Sequence, residues 1–353
     1  MTVFGESHGE AIGVVLDGIA PGIKVDYEYI REKLALRAPS GKISTARHEA
    51  DEFRIASGVF DGYTTGTPIA IIIENEDTKS RDYTKIKDTP RPSHADFTAE
   101  CKYHGFQDFR GGGHFSGRIT APIVAGASII LSALKNQGIY IGTHIKELHG
   151  ISDRDFLNPL DDISYLEKAK FPTLSNEKGE RMMLEIEKAR DAQDSVGGIL
   201  ESCIYGMPAG VGEPFFDSME SMLSHLLFSV PALKGVEFGL GFAFSDLYGS
   251  EANDAFEFKG GEVVTKTNNN GGINGGITNG MPIMIKSVIK PTPSIFKKQD
   301  TVNLRTGENT EIEISGRHDP AIIHRARVVV DSLIALGIAD MLVSRLGTDY
   351  LAK

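Results

Sequence analysis

Fourteen consecutive residues from Ala121 to Leu134 are apolar or small, broken only by Pro122, Gly126 and two serines. They sit inside a helical pattern from Ile119 to Asn136 that is apolar nearly all round. A helix without a polar face has to be covered on every side, so the chain must build packed layers around this segment. The run falls short of the roughly 18 apolar residues that a membrane span needs, so it is expected to be a core helix, with no membrane partner.

Around it the pattern alternates between the two regular periods. β-branched and apolar runs bounded by turn formers predict strands at Ile12–Leu16, Ile69–Ile73, Gly198–Tyr205 and Pro282–Ile289. Helical spacing predicts helices at Tyr27–Leu36, Glu180–Ala192, Ser218–Ser229 and Ala326–Leu346. The interleaving places the chain in a mixed class, α/β or α+β, and no break divides the hydrophobic residues into two sets, so one domain over 1–353 is expected. Ser80–Pro92 and Ser294–Thr310 read as long polar loops that could close over a ligand, and Lys146–Leu174 as a weakly patterned surface excursion.

Composition narrows the function. The 353 residues carry a net charge of -11, which argues against nonspecific nucleic-acid binding, a process driven by basic surfaces. Cys101 and Cys203 lack metal-ligand or CxxC spacing and read as buried, reduced thiols. With no leader pattern at the N-terminus, a cytoplasmic location is expected.

Against that acidic background, Arg91 to Thr120 gathers three histidines, three arginines and a triple glycine. Its second half, FRGGGHFSGRITAP, joins close-approach backbone to Ser116, Arg118 and Thr120 at the start of the apolar helix. Amides, a hydroxyl and a guanidinium there make an anion cradle, although the segment is neither a Walker A loop nor a dinucleotide fingerprint. In RPSHAD, Pro92 fixes a turn, Arg91 can fork onto an oxyanion, and Asp96 could orient His94; the plain alternative is an exposed histidine at a helix start. In FGESHG, His8 stands between glycines on a tight turn, as a proton donor or as an ordinary surface histidine. NNNGGINGGITNG, Asn268–Gly280, could hold a flat polar ring or simply form successive turns. Arg37, Lys42 and Arg47 form a further basic cluster, and GRHDP brings Arg317, His318 and Asp319 together ahead of Arg325 and Arg327.

The strings FGESHG, SGVFDGYTTGTPI, RPSHAD, FRGGGHFSGRITAP, DSVGG, PAGVGEP, GGINGG and GRHDP occur in this order, and in that order the chain resembles the chorismate synthases over nearly its whole length. The resemblance implies an α+β fold, a β-α-β sandwich with helices packed between antiparallel sheets in a single large domain, assembled as a homotetramer. It implies anti-1,4 elimination of phosphate from 5-enolpyruvylshikimate 3-phosphate to give chorismate, with reduced FMN as cofactor and NADPH, if used at all, only as its reductant. Matched motif by motif, it makes His8 the general acid at the leaving phosphate. His94 falls beside the flavin pyrimidine and Asp319 near flavin N5. Arg37, Arg47, Arg118 and Arg317 become the substrate's anion ligands. Ser116, Asn269, Asn270, Asn274, Lys290, Ser294 and again Arg317 fall in segments that bind FMN.

The chain also departs from the family pattern. Leu36-Arg37-Ala38-Pro39 replaces an arginine-richer stretch, His114 and Phe115 replace arginine and serine beside the triple glycine, Asn270 replaces alanine, and only three residues precede FGESHG, so a short first strand is expected. Two rivals remain at this level: a different flavin- or phosphate-handling lyase or phosphatase on the same scaffold, and a non-catalytic phosphometabolite or flavin binder with no need of His8 or Asp319.

Overall fold

The computed structural model describes residues 1–39, 43–44, 51–75, 87–314 and 319–352. Chain order begins β1 (Thr2–Gly5), β2 (Ala11–Leu16), α1 (Tyr27–Arg37), β3 (Phe53–Ser57), the small ribbon β4 (Val59–Phe60) and β5 (Tyr63–Thr64), then β6 (Ile69–Glu74) and α2 (Asp96–Tyr103). Next come α3 (Thr120–Asn136), β7 (Tyr140–Leu148), β8 (Ile151–Ser152), α4 (Pro159–Lys168), α5 (Asn176–Asp191), β9 (Gly198–Tyr205), α6 (Met219–Leu227) and β10 (Leu233–Phe238). The last third holds α7 (Gly249–Ala252), β11 (Phe256–Lys259), β12 (Glu262–Thr265), β13 (Ile273–Asn274), β14 (Ile277–Thr278), β15 (Ile283–Ile289), β16 (Gln299–Asn303), β17 (Glu308–Ile312) and α8 (Ile323–Leu346).

Two antiparallel sheets organise these elements, one ordered β1-β2-β6-β3 and the other β10-β15-β9-β7-β8. Between them lie α3 and α8, packed on each other, with α3 against β2 and β6 and α8 against β7 and β9. This is the expected sandwich. The apolar helix α3 is buried along almost its full length, and at Gly126 an added Cβ would come within 2.9 Å of Leu16 Cδ1, so the helix lies directly on the first sheet. Together with the short turn before it, α3 is long and apolar enough to cross a membrane, yet 83% of that window is buried inside the fold. Its apolar surface is therefore satisfied by α8, α1 and the first sheet.

Several expectations need correction. Residues 294–310 are not simply a loop: β16 and most of β17 form a hairpin there, paired from Gln299↔Ile312 to Asn303↔Glu308. Polar residues on both faces hid it, because alternation is invisible when neither face is apolar. Lys146–Leu174 contains α4, started by Pro159 and buried through Ile163 and Leu166, as well as β8. Cys101 is exposed, because α2 buries only Ala99; Cys203 is buried, which pushes its thiol pKa up. β1, though short, pairs along all four residues with β2.

Candidate active site

The turn joining β1 to β2 carries FGESHG and is clamped from the triple-glycine loop. Ser7 N donates to Gly113 O at 3.2 Å, Ser7 Oγ to Arg110 O at 3.3 Å, and the His114 Nδ1–H to Gly5 O at 2.8 Å. Ser7 Oγ also lies 3.1 Å from His8 Nδ1, which orients the ring. Gly111 has φ +60, and a Cβ there would stand 2.1 Å from His8 Cε1. The glycine triplet thus makes room for the histidine, a role that the sequence pattern assigned to a ligand. Arg110 folds back onto Asp108, through Nε at 2.8 Å and Nη2 at 2.7 Å.

A second group forms where α1, β3, β6 and α3 converge. Arg37 and Arg118, both buried, share the buried carboxylate of Asp51: Arg37 Nη2 donates to Oδ2 at 2.5 Å, and Arg118 Nη1 donates to Oδ1. Burial alone would raise the pKa of Asp51, but the two guanidiniums outweigh it and hold it below the usual carboxylate range. Arg118 Nε also donates to Asn75 Oδ1 at 3.0 Å and Nη2 to Glu74 O at 3.2 Å. Arg37 Nε is buried with no partner among the described residues, a donor left over for an incoming acceptor. From the start of α8, Arg325 donates to Arg37 O at 2.7 Å and to Asp319 Oδ2 at 2.7 Å.

A third group holds His94. Its Nε2 pairs with Ser294 Oγ at 2.8 Å and its Nδ1 with Pro92 O at 3.1 Å, while Lys290 Nζ donates to Ser93 O at 2.8 Å. Burial, with Arg91 adding to it, lowers the His94 pKa to about 4, so the ring is neutral at neutral pH. Asp96 does not orient His94. Arg91 takes both its oxygens, Nε to Oδ2 and Nη2 to Oδ1 at 2.8 Å each, because a planar fork matches a carboxylate better than a single imidazole N–H does. The backbone N–H groups of Asn269 and Asn270 and the Asn270 side chain bond to Asp254, the Asn269 amide bonds to Glu251 O and Ala252 O, and Asn274 Oδ1 accepts from Asn279.

The family model for chorismate synthase matches residues 1–343. The chain belongs to the chorismate synthase family. A chorismate synthase of Pyrococcus abyssi (strain GE5 / Orsay) is 47% identical over 344 residues, covering 98% of this chain and 96% of that protein. One from Methanosarcina barkeri (strain Fusaro / DSM 804) is 46% identical, covering 96% and 93%. A solved structure described as a crystal structure of chorismate synthase superposes with TM-score 0.75 at 27% identity, covering 98% of this chain and 92% of that one. The activity is accordingly the family's, a carbon–oxygen lyase reaction that converts 5-enolpyruvylshikimate 3-phosphate to chorismate, the last step of the shikimate pathway.

In this chorismate synthase fold, the motif residues separate by place. His8 joins the Gly111–His114 loop; Arg37 joins Arg118; His94, Lys290 and Ser294 meet. Ser116 accepts from Arg118 N at 3.3 Å and so caps the turn leading into α3. Asn269, Asn270 and Asn274 are tied up within their own loop and on Asp254. Asp319 is joined to the arginine group through Arg325. Arg47 and Arg317 lie outside the described residues. Asp51 and Asn75 escaped sequence reasoning. The one signal for Asn75 was an amide residue directly after the apolar run IAIIIE, where a strand end turns polar while still buried.

Proposed function

We propose that this chain carries out the elimination with reduced FMN bound beside the substrate, His8 as general acid at the leaving phosphate, and Arg37, Arg47, Arg118 and Arg317 as ligands of the substrate's anionic groups. The observation that carries the reading is the seating of His8 on Gly111, in a turn tied to Arg118, the arginine that shares Asp51 with Arg37. As the C–O bond to phosphate breaks, negative charge grows on the leaving oxygens. Preorganised guanidiniums and a proton given by the His8 imidazole to a phosphate oxygen stabilise that charge more than they stabilise the bound substrate.

The residues suit a flavin. Thr292 Oγ1 is buried without a partner among the described residues, in a segment whose flanking Lys290 bonds to Ser93 O and whose Ser294 bonds to a neutral His94. FMN, when bound, supplies electron density to the reacting centre. Lys290, Ser294 and His94 would hold it, with Ser116, Asn269, Asn270, Asn274 and Arg317 completing the set. A neutral His94 would help hold the reduced ring's protonation state, and Asp319 would act beside the ring. We further propose that residues 1–353 form one catalytic domain, that NADPH acts at most as reductant, and that the enzyme works as a cytoplasmic homotetramer.

The test is anaerobic turnover with photoreduced FMN and 5-enolpyruvylshikimate 3-phosphate, following chorismate absorbance and phosphate release. Wild type should form both products in equal amounts, and His8→Ala should lose roughly a hundredfold or more in rate, the scale of a general acid. Undiminished turnover by His8→Ala would remove that residue from the mechanism.

A further inference from the structure

The side-chain amide of Asn75 is fully used. Its Nδ2 donates to Glu6 O and to Gly9 O, each at 3.0 Å, and its Oδ1 accepts from Arg118 Nε at 3.0 Å. Glu6 and Gly9 bracket Ser7 and His8, and the same Glu6 carbonyl accepts the turn-closing bond from Gly9 N at 3.0 Å. The amide orientation is fixed by these partners, because the reversed group would face two carbonyl oxygens with its own oxygen and a guanidinium with its NH2.

The sheet brings Asn75 there. β6 pairs with β2 in a register ending at Ala11↔Glu74, and the next residue's backbone N–H bonds to Glu10 O at 3.0 Å. The strand that follows the His8 turn and the strand that ends just before Asn75 are therefore neighbours, so the amide reaches the turn from the paired end of a sheet strand. Arg118 is anchored independently by Asp51 and Glu74 O. Losing Asn75 should therefore loosen the turn on the side away from the triple-glycine loop while leaving the arginine in place.

We infer that Asn75 is a positioning residue for the elimination, fixing the His8 turn against Arg118 so that proton donor and anion ligand share one geometry. The inference rests on the proposed role of His8. Asn75→Asp keeps the acceptor for Arg118 but sets an oxygen against the two turn carbonyls, and Asn75→Ala simply removes the clamp.

Both variants, His8→Ala and wild type would be compared in three measurements: calorimetric binding of the substrate to flavin-free protein, kcat with reduced FMN, and the pH dependence of kcat. For a positioning role the Asn75 variants bind the substrate within about threefold of wild type, lose roughly a hundredfold in kcat, and shift the limb of the pH profile that His8→Ala abolishes; a misplacement near 1 Å is sufficient for such a loss. Parallel loss of binding and kcat would overturn the inference, as would a pH profile and kcat unchanged from wild type. Failure of both Asn75 variants to fold while His8→Ala folds would show a purely structural role and overturn it too. If His8→Ala itself turns over normally, the failure belongs to the proposed acid and not to Asn75.

Discussion

Gly111 and Gly112 both have positive φ, +60 and +92, so alanine strains the backbone at either, by about 1–3 kcal/mol. They differ in what the new methyl meets. At Gly111 it would stand 2.1 Å from His8 Cε1, whereas at Gly112 its nearest neighbour is Ser116 Cβ at 3.8 Å. Gly111→Ala should therefore lower turnover at least about tenfold more than Gly112→Ala at similar melting temperature, the difference reporting displacement of His8. Asp51 makes a second prediction. Asp51→Asn leaves Arg37 and Arg118 buried beside each other without their shared anion and should cost about 3–5 kcal/mol in denaturant unfolding. Because folding lowers the Asp51 pKa, its contribution is present above the ordinary carboxylate pKa and disappears as pH falls through the folded value, so wild type and variant should converge in acid. His8, His94 and Arg118 were legible in the sequence because each stands in a contiguous motif, and Arg37 because it falls in a basic cluster with Lys42 and Arg47. Asp51 and Asn75 were not, because their partners come from residues 37, 118, 6 and 9, and only the sheet brings these together.

At the scale of elements, α3, α8, β9 and β15 were legible because an apolar surface needs no partner to be recognised. β16 and β17 were missed because both faces are polar and their hairpin is held by cross-strand pairing and by contacts to the segment before RPSHAD: Thr301 Oγ1 donates to Pro90 O at 2.5 Å and Leu304 N to Asp88 O at 2.9 Å. The joint between β7, β9 and α5 was equally hidden. His144 on β7 faces Glu201 on β9 in register, with Nε2 3.0 Å from Oε2 and Nδ1 2.9 Å from Asp153 Oδ2. Asp153 in turn accepts from Leu174 N and Ser175 N ahead of α5. Burial pulls the His144 pKa down, but the two carboxylates outweigh it and the net shift is upward. The resulting stability is fully present below the ordinary histidine pKa and is lost as pH rises through the raised folded value. His144→Gln should remove that alkaline slope from unfolding free energies measured across the neutral and alkaline range, and should lower stability below it by about 3 kcal/mol through the stranded carboxylates.

For the whole molecule, the telling surface is the hairpin of β11 and β12. Phe256 and Phe258 alternate onto one face, and Val263 lies opposite Phe258 in register, yet these three are 67%, 77% and 60% exposed. Phe242 and Tyr248, in the segment leading into the hairpin, are 85% and 79% exposed. A two-stranded ribbon gains little stability by itself, and an apolar face of this kind in water marks an association surface. The proposed tetramer would supply the cover, since copies of a chain carrying net charge -11 need apolar contact to come together against their mutual repulsion. Phe258→Glu places a charge in the middle of that face opposite Val263, where desolvation on association would be costly. Light scattering should show the wild type at four times the chain mass and the variant at a smaller multiple, with far-UV circular dichroism unchanged because Phe258 contributes little to the monomer's core. A variant that keeps the wild-type mass would mean that the hairpin lies outside the contacts that assemble the enzyme.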